Sequence, residues 1–339
     1  MDIIIYGTTE ISYLIASHLH QSHNITILSE EGLSVDRFAS LDVRIVEGSG
    51  GDIALLEQVK APEASLFIAC SAVDEANIVA CWTVRKLSTL ETACFISKPE
   101  LYRTFSSSVQ ARNGTGYDID SIIWPELLLT QDIFRIISVP DALDVEYMAG
   151  GKAKLFEYRI KADSRLAGQR IQDCGFPRNV LIAGVTRGDK LFIPDGSTRI
   201  ETEDKVFFIG SDIGLDMLAV EFFPNKGGVK SVAIIGGGSV GFMLAQRLEK
   251  TGVRVQIIDH DSDRCSWLAD TLKRGLVLHG DGTDLELLEA EAIAGADVCV
   301  CTTDNDEKNL LCSLLVRQLG SRRVVTRVGK SQNWELFSR

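Results

Sequence analysis

A glycine-rich segment at residues 232–241 reads V-A-I-I-G-G-G-S-V-G, with three glycines in the spacing G-x-G-x-x-G. It follows an apolar run typical of a strand and opens a helical pattern. In that setting Gly236 allows a tight turn, Gly238 lets the backbone approach a pyrophosphate, and Gly241 lets the helix pack against the strand. A helix N-terminus also attracts anions. The predicted phosphate-binding residues are Gly236, Gly237, Gly238, Ser239, Val240 and Gly241.

An acidic residue, Asp259, ends the next predicted strand. In dinucleotide-binding folds a carboxylate at this place accepts hydrogen bonds from the ribose hydroxyls and repels a 2′-phosphate. The pair of signals therefore favours NAD(H) over NADP(H). ADP and ATP stay possible, because the glycine loop needs only the adenosine diphosphate part that all these ligands share. A fold that keeps its glycines for packing alone is the alternative.

Further polar residues follow the fourth and fifth predicted strands of this region. Thr303 and Asp304 lie where a parallel sheet binds its ligand. Asp304, with Asp306 and Glu307, could do acid–base work or bind a cation, but helix capping or interface use is the preferred interpretation. Arg327 could contact a phosphate, a neighbouring subunit's carboxylate, or an ordinary strand-end partner.

The same pattern occurs a second time, about 230 residues earlier, in a degenerate form. Gly7, Thr9 and Ser12 take the positions of the three glycines, and Ser29 takes that of Asp259. A threonine places a Cβ where a phosphate must come close, and Glu10 adds a carboxylate at a helix N-terminus. We expect this first copy to be a vestigial structural unit, with a site of changed ligand preference as the alternative.

Short β-branched runs alternate with helical patterns in both regions, which predicts parallel sheets with crossover helices. The fold class is α/β, with two Rossmann-like doubly wound domains separated by a small α+β domain. The predicted boundaries are 1–133 for the first Rossmann-like domain, 134–226 for the small domain and 227–339 for the second. We expect the chain to end before a second small lobe, as a truncated product would.

Composition narrows the function classes. A net charge of −12 argues against a nucleic-acid surface and against direct contact with anionic lipid. The sequence has no apolar run of about 18 residues and no signal peptide, so we expect no membrane insertion. The eight cysteines form no C-x-x-C pair, and we expect buried thiols in a reducing cytoplasm rather than a metal site.

These motifs together resemble the regulator of potassium conductance (RCK/KTN) family. The resemblance rests on I-I-G-G-G-S-V-G, Gly280-Asp281-Gly282-Thr283-Asp284, the repeated Asp-Glu-x-Asn at 306–309 and 74–77, and Thr326-Arg327-Val328. Residues 116–126 resemble the entry to the family's crossover helix. Residues 166–196, with Pro194-Asp195-Gly196, resemble its C-terminal lobe. The resemblance covers the whole chain.

The resemblance implies a cytoplasmic, non-enzymatic regulatory subunit of a Trk/Ktr-type potassium uptake system. Such subunits form a ring, here a tetramer of two-repeat chains, beneath a membrane potassium transporter subunit, and nucleotide binding changes the shape of the ring. The ligand residues that the resemblance implies are Gly236 to Val240, Asp259, Asp281, Thr303, Asp304 and Arg327. Relatives that prefer ATP often carry a basic residue where this chain has Ser239, which favours NAD(H).

Two other function classes stay open. An NAD-dependent dehydrogenase needs an acid–base residue facing the nicotinamide, but residues 134–226 contain no histidine and one cysteine, Cys174. A structural interaction module with two inactive nucleotide sites is the third hypothesis, and it predicts no stabilisation by any nucleotide.

Overall fold

The computed structural model describes residues 1–30, 32–110, 119–138, 142–148, 153–188, 190–222, 229–330 and 333. The chain divides into two compact units, one built mainly from residues 1–128 and the other mainly from residues 129–329. Each unit contains one parallel sheet, and the second unit also contains an antiparallel sheet. The predicted fold class is confirmed.

The first unit is a six-stranded sheet in the order β3-β2-β1-β4-β5-β6, and every pair in it is parallel. Its central strand is wholly buried after the first residue, because helices cover both faces of the sheet. The strands are β1 Asp2–Tyr6, β2 Asn24–Ser29, β3 Arg44–Glu47, β4 Leu66–Ala69, β5 Glu91–Phe95 and β6 Ser121–Ile123. The helices are α1 Glu10–Leu19, α2 Ile53–Gln58, α3 Asp74–Leu87, α4 Pro99–Gln110 and α5 Pro125–Ser138.

The antiparallel sheet has the strand order β10-β9-β11-β8-β7 and packs against one helix. Its elements are β7 Ala142–Met148, β8 Ala153–Arg159, β9 Val180–Arg187, β10 Lys190–Phe192, β11 Lys205–Gly210 and α6 Asp212–Phe222. A hairpin joins β9 to β10, as the sequence predicts, with Thr186 opposite Leu191. Gly188-Asp189 is typical of a two-residue hairpin turn, and Asp189 lies outside the described residues. Pro140, which predicts a helix break, and residues 224–228, whose composition predicts a linker, also lie outside them.

The second parallel sheet repeats the plan of the first with the order β14-β13-β12-β15-β16. The strands are β12 Ser231–Ile235, β13 Arg254–Asp259, β14 Leu276–His279, β15 Val298–Cys301 and β16 Val324–Thr326. The helices are α7 Ser239–Glu249, α8 Ser262–Thr271, α9 Leu285–Ala290 and α10 Asp306–Gln318. β12 pairs with β13 on one side and with β15 on the other. The order in which successive strands are added to the sheet therefore reverses at β12.

The last turns of α5 belong to the core of the second unit. Ile133, Phe134 and Ile137 are buried among side chains of β12 and α7. The Arg247 guanidinium lies 4.7 Å from the centre of the Phe134 ring, and Arg323 Nη2 donates a hydrogen bond of 2.7 Å to the Ile136 carbonyl. The predicted boundary at residue 133 therefore lies inside α5, and the last turns of that helix pack in the core of the second unit.

The cysteines of the chain are all free thiols, and every one except Cys174 is buried. Burial raises the pKa of Cys70 to about 11 and that of Cys301 to about 12, because a low-dielectric core disfavours the thiolate. Across the described residues, no helix combines the length and the apolar character that crossing a membrane needs.

Candidate functional site

The carboxyl ends of β12, β13 and β15 meet at the centre of the second sheet, where the strand order reverses. In open α/β sheets this reversal opens a crevice in which ligands bind. Three segments reach it: the glycine loop after β12, Asp259 at the end of β13, and residues 302–305 after β15. These segments carry most of the residues that the sequence predicts.

Two glycines of the loop are required by close backbone contacts. Gly236 has a φ of +108°, and a Cβ there would lie 2.8 Å from the Thr303 nitrogen. At Gly241 a Cβ would lie 1.9 Å from the carbonyl oxygen of Gly236. Only glycine fits at either place without a backbone shift. The loop therefore packs tightly between α7 and the end of β15.

The N-terminus of α7 is open. Gly238 is the N-cap residue, and no side chain accepts a hydrogen bond from the first turn of the helix. Gly238 and Ser239 are exposed, whereas Val240 is buried. A Cβ built at Gly238 would have no heavy atom within 4 Å. The unpaired N–H groups of a first helical turn form an anion site when nothing caps them.

Asp259 lies directly beside this loop. Its Oδ2 accepts a hydrogen bond of 2.6 Å from the Gly237 N–H, and its Oδ1 accepts one of 3.0 Å from the Asp261 N–H. The side chain is 11% exposed, and the Nδ1 atom of His260 lies 3.3 Å from Oδ1. A Cβ at Gly237 would lie 2.5 Å from Leu268 Cδ1. A larger residue there would have to displace the leucine side chain. Each carboxylate oxygen thus accepts a hydrogen bond from a backbone N–H, and the bond to Gly237 holds the glycine loop.

The residues after β15 and β16 are held by one amide. Asn309 Oδ1 accepts hydrogen bonds from the Thr303 N–H at 2.8 Å and from Thr303 Oγ1 at 2.7 Å. Its Nδ2 donates to the carbonyls of Thr303 at 3.1 Å and Arg327 at 3.2 Å. Asp304 is exposed next to Thr303, and Arg327 is half-buried. Asn309 was not among the predicted site residues, although the repeated Asp-Glu-x-Asn motif contains it.

The acidic cluster at 304–307 has a structural part. Asn305 is the N-cap residue of α10, accepting a hydrogen bond from the Lys308 N–H. The buried Asp306 accepts hydrogen bonds from the Gly329 N–H at 2.7 Å and from Asn333 Nδ2 at 2.8 Å. Asp306 therefore fixes the segment that follows β16. No group of three or more His, Cys, Asp and Glu side chains in the described ranges could hold a metal ion.

Asp281 lies on the loop after β14. Its carboxylate accepts hydrogen bonds from the Thr283 N–H at 2.9 Å and from Thr283 Oγ1 at 2.8 Å, and these bonds lower the pKa of Asp281. The Lys308 ammonium lies 3.9 Å from Asp281 Oδ2. The loop is thus ordered by local contacts, and Asp281 is exposed at its start.

Arg264 also contacts the glycine loop, and no sequence motif indicates it. Its Nε donates a hydrogen bond of 2.7 Å to the Gly237 carbonyl. The guanidinium lies 4.2 Å from the ring centre of Trp267 and 5.7 Å from that of Phe242. Burial against these rings lowers the pKa of Arg264, while the carboxylates of Asp259 and Asp261 act in the opposite direction. Arginine remains a cation at physiological pH.

The first copy closes the corresponding helix end with its own side chains. Thr9 is the N-cap residue of α1 and forms a capping box with the buried Ser12. Asn77 bonds to Ser71 and to the Phe95 carbonyl as Asn309 bonds to Thr303 and Arg327. The structural counterpart of Arg327 is therefore Phe95.

Two Rossmann-type units with one open and one closed helix end define a tandem Rossmann-fold protein of α/β class. Comparison with known proteins agrees with this description. The TrkA-N domain family matches residues 3–110 and again 232–339, and the TrkA-C domain family matches residues 155–222. The two matches to one family correspond to the two parallel sheets.

Several relatives match nearly the whole chain. Trk system potassium uptake protein TrkA homolog 2 of Methanosarcina mazei is 34% identical over 99% of this chain and 76% of its own length. The protein TrkA of Halomonas elongata is 31% identical, over 98% of this chain and 73% of its own length. The solved structure of the GsuK channel bound to NAD has a TM-score of 0.66 at 20% identity, covering 99% of this chain and 59% of that one. The chain belongs to the TrkA family of Trk system potassium uptake proteins.

Proposed function

We propose that this chain is a regulatory subunit of a Trk-type potassium uptake system and that it senses a nucleotide. The observation that carries the proposal is the open N-terminus of α7 beside Asp259. That arrangement offers backbone N–H groups to a pyrophosphate and a carboxylate to a ribose. Membership in the TrkA family supplies the context of potassium uptake.

NAD(H) is the proposed ligand, with ADP and ATP as the other candidates. The proposed contacts are Gly236, Gly237, Gly238, Ser239, Val240, Gly241, Asp259, Asp281, Thr303, Asp304 and Arg327. The carboxylate of Asp259 would repel a 2′-phosphate, which favours NAD(H) over NADP(H). GsuK, which shares the fold, has solved structures with NAD and with ADP. Both ligands share the adenosine diphosphate part that the loop would hold.

The proposed role is regulatory rather than enzymatic. Ligand binding would shift the population between two shapes of a ring, which requires that one shape bind the ligand better than the other. The ring would lie on the cytoplasmic side of the membrane against a potassium transporter subunit. A dehydrogenase is the second candidate, and turnover of NADH with any metabolite would favour it over regulation.

A duplicated apolar surface supports assembly into a homo-oligomeric ring. On α3, Val79 and Trp82 are 50% and 40% exposed, and on α10, Leu311 and Leu314 are 46% and 56% exposed. These pairs take equivalent positions in the two copies, because Leu311 and Leu314 follow Val79 and Trp82 at the same offset that separates Asn309 from Asn77. Large exposed apolar patches commonly mark protein interfaces.

The assembly proposal predicts that Leu314→Glu lowers the oligomer size in sedimentation velocity, because a carboxylate would be buried in the interface. A change at the equally exposed Leu276, as Leu276→Glu, is the control and leaves the size unchanged. A Leu314→Glu protein that sediments like the wild type would exclude this surface from the ring contacts.

Thermal unfolding with NAD⁺, NADH, NADPH, ADP and ATP tests the nucleotide site. We expect NAD⁺ or NADH to stabilise the wild type, by about 2.7 kcal/mol at a ligand concentration 100 times the Kd. Asp259→Ala abolishes that stabilisation. Ser29→Ala changes the equivalent position of the first copy and preserves it. ATP stabilisation that is indifferent to Asp259 would reject the NAD(H) assignment, and no stabilisation by any nucleotide would favour the structural module.

A further inference from the structure

The central residue of the glycine loop is held from both sides by opposite charges. Its N–H, at Gly237, donates to Asp259 Oδ2 at 2.6 Å, and its carbonyl accepts from Arg264 Nε at 2.7 Å. Hydrogen bonds to ionised groups are roughly twice as strong as bonds between neutral groups. Both peptide groups that flank this residue are therefore fixed in orientation before a ligand arrives.

The geometry of Arg264 is itself fixed. Its guanidinium lies over Trp267 at 4.2 Å, and Trp267 packs edge to face on Phe242 with ring centres 4.6 Å apart. The arginine is on the first turns of α8, whose N-cap residue Asp261 accepts a hydrogen bond from the Arg264 N–H. The Arg264 side chain thus contacts α7, α8 and the loop. Packing against the two rings fixes the direction in which its Nε donates.

The described residues of the first copy do not repeat this arrangement. Between β2 and β3 it has a short 3-10 helix, Asp36–Phe38, in place of a helix like α8. Its loop residue Thr8 corresponds to Gly237, and Ser29 corresponds to Asp259. The side chain of Ser29 donates to the Glu30 carbonyl instead of contacting the loop. The two charged residues that hold the loop, Asp259 and Arg264, therefore occur together in the copy whose helix end is open.

We propose that Arg264 is a positioning residue of the nucleotide site, which orients the Gly237 carbonyl so that the N–H groups at the start of α7 are free for a pyrophosphate. The proposal rests on the proposed nucleotide function. A loop carbonyl that turned toward the crevice would present a negative partial charge to the phosphates, so the arginine favours binding without touching the ligand. Asp259 and Arg264 act on the same residue and should be energetically coupled.

Nucleotide titrations of three variants test this role. Arg264→Met removes the charge and the donor but keeps a long side chain against Trp267, and Arg264→Lys restores the charge. Arg254→Met, at the exposed opposite end of β13, is the matched control. The Kd values for NADH and for ADP are measured by calorimetry, together with the Tm of each unliganded protein.

We expect Arg264→Met to weaken NADH and ADP alike, by about tenfold, which is about 1.4 kcal/mol. The ratio of the two Kd values stays constant because the loop would hold their common pyrophosphate. Arg264→Lys recovers part of the affinity, and Arg254→Met binds as the wild type does. A fold defect cannot imitate this pattern if the unliganded Tm values agree within 2 °C or so.

Two outcomes would overturn the proposal. Arg264→Met could bind both ligands within about twofold of the wild type, or it could lose NADH and keep ADP, which would make the arginine a direct contact to another part of the ligand. Additive effects of Asp259→Asn and Arg264→Met in the double variant would also contradict it. Wild-type protein that binds neither ligand would instead refute the nucleotide function itself.

Discussion

The same backbone turn leads into α1 and α7, but the two helices differ in how the N–H groups of their first turns are paired. In the first copy Thr9 Oγ1 accepts from the Ser12 N–H, and Ser12 Oγ accepts from the Thr9 N–H. In the second copy Gly238 provides no side chain. A helix start must have partners for its first donors. The first copy supplies these partners with its own side chains. In the second copy solvent or a ligand must supply them.

The scaffold around these helix ends is retained in both copies. Gly7 has a φ of +114° and Gly236 one of +108°, and Asn77 and Asn309 make the same hydrogen bonds to the ends of the fourth and fifth strands. At the helix ends the differences lie in the groups that would meet a ligand, and beside them the first copy has the 3-10 helix Asp36–Phe38 where the second has α8. Fold and ligand site have therefore diverged separately in one chain, and this separation can be tested by exchanging residues between the copies.

The largest effect is expected at Gly241, where the first copy has a serine. Gly241→Ser places a Cβ within 1.9 Å of the Gly236 carbonyl oxygen, so α7 must move away from β12. We expect a loss of about 3 kcal/mol in the free energy of unfolding and no nucleotide stabilisation. Urea denaturation with and without NADH measures both.

A matched control is Gly295→Ser, because a Cβ at Gly295 has no heavy atom within 4 Å. It should unfold like the wild type and bind nucleotide normally. If Gly241→Ser kept its nucleotide affinity, the helix end could shift without losing the site, and the steric difference between the copies would not explain the inactive one.

The two buried asparagines give the next effect. Asn309→Ala and Asn77→Ala each leave several backbone groups unpaired, and we expect each to cost about 2–3 kcal/mol of stability. Only Asn309→Ala should also weaken NADH binding, since Asn309 orients Thr303 and the backbone of Arg327. Denaturation and NADH titration separate the two effects. Equal loss of NADH affinity in both variants would show that the first copy takes part in binding.

Sequence reasoning identified the residues whose signals are local. The glycine loop and Asp259 lie next to strand ends that apolar runs reveal, and both lie where the motif predicts. Arg264 has no such signal, because its contact to Gly237 spans 27 residues and depends on how α8 packs. The burial of Phe134 in the second core also depends on tertiary packing. The counterpart of Arg327 in the first copy, Phe95, is likewise found from the hydrogen bonds of Asn309 and Asn77 and not from a match of residue types.

A smaller effect is expected from Thr9→Ala, which removes the capping box of α1. The change should cost about 1 kcal/mol in the unfolding of the first unit, because the Ser12 N–H loses its acceptor. Nucleotide stabilisation of the second unit should not change. Ser17→Ala on the same helix, whose hydroxyl donates to the Leu14 carbonyl and also contacts His18 Nδ1, is the control and should cost less.

The smallest change in stability, and the clearest test of the comparison, is expected from Gly238→Thr, which gives α7 the cap residue of α1. The space at Gly238 is empty of protein atoms within 4 Å, so the side chain fits without strain and can accept a hydrogen bond from the first turn. Threonine and glycine differ by only a few tenths of a kcal/mol at an N-cap, so the unliganded protein should unfold within that margin of the wild type. NADH binding should nevertheless be lost, because the threonine occupies the place of the phosphates and satisfies their donors. Calorimetric titration would measure the loss, and a variant that still bound NADH at the wild-type Kd would mean that the open helix end is not the phosphate site.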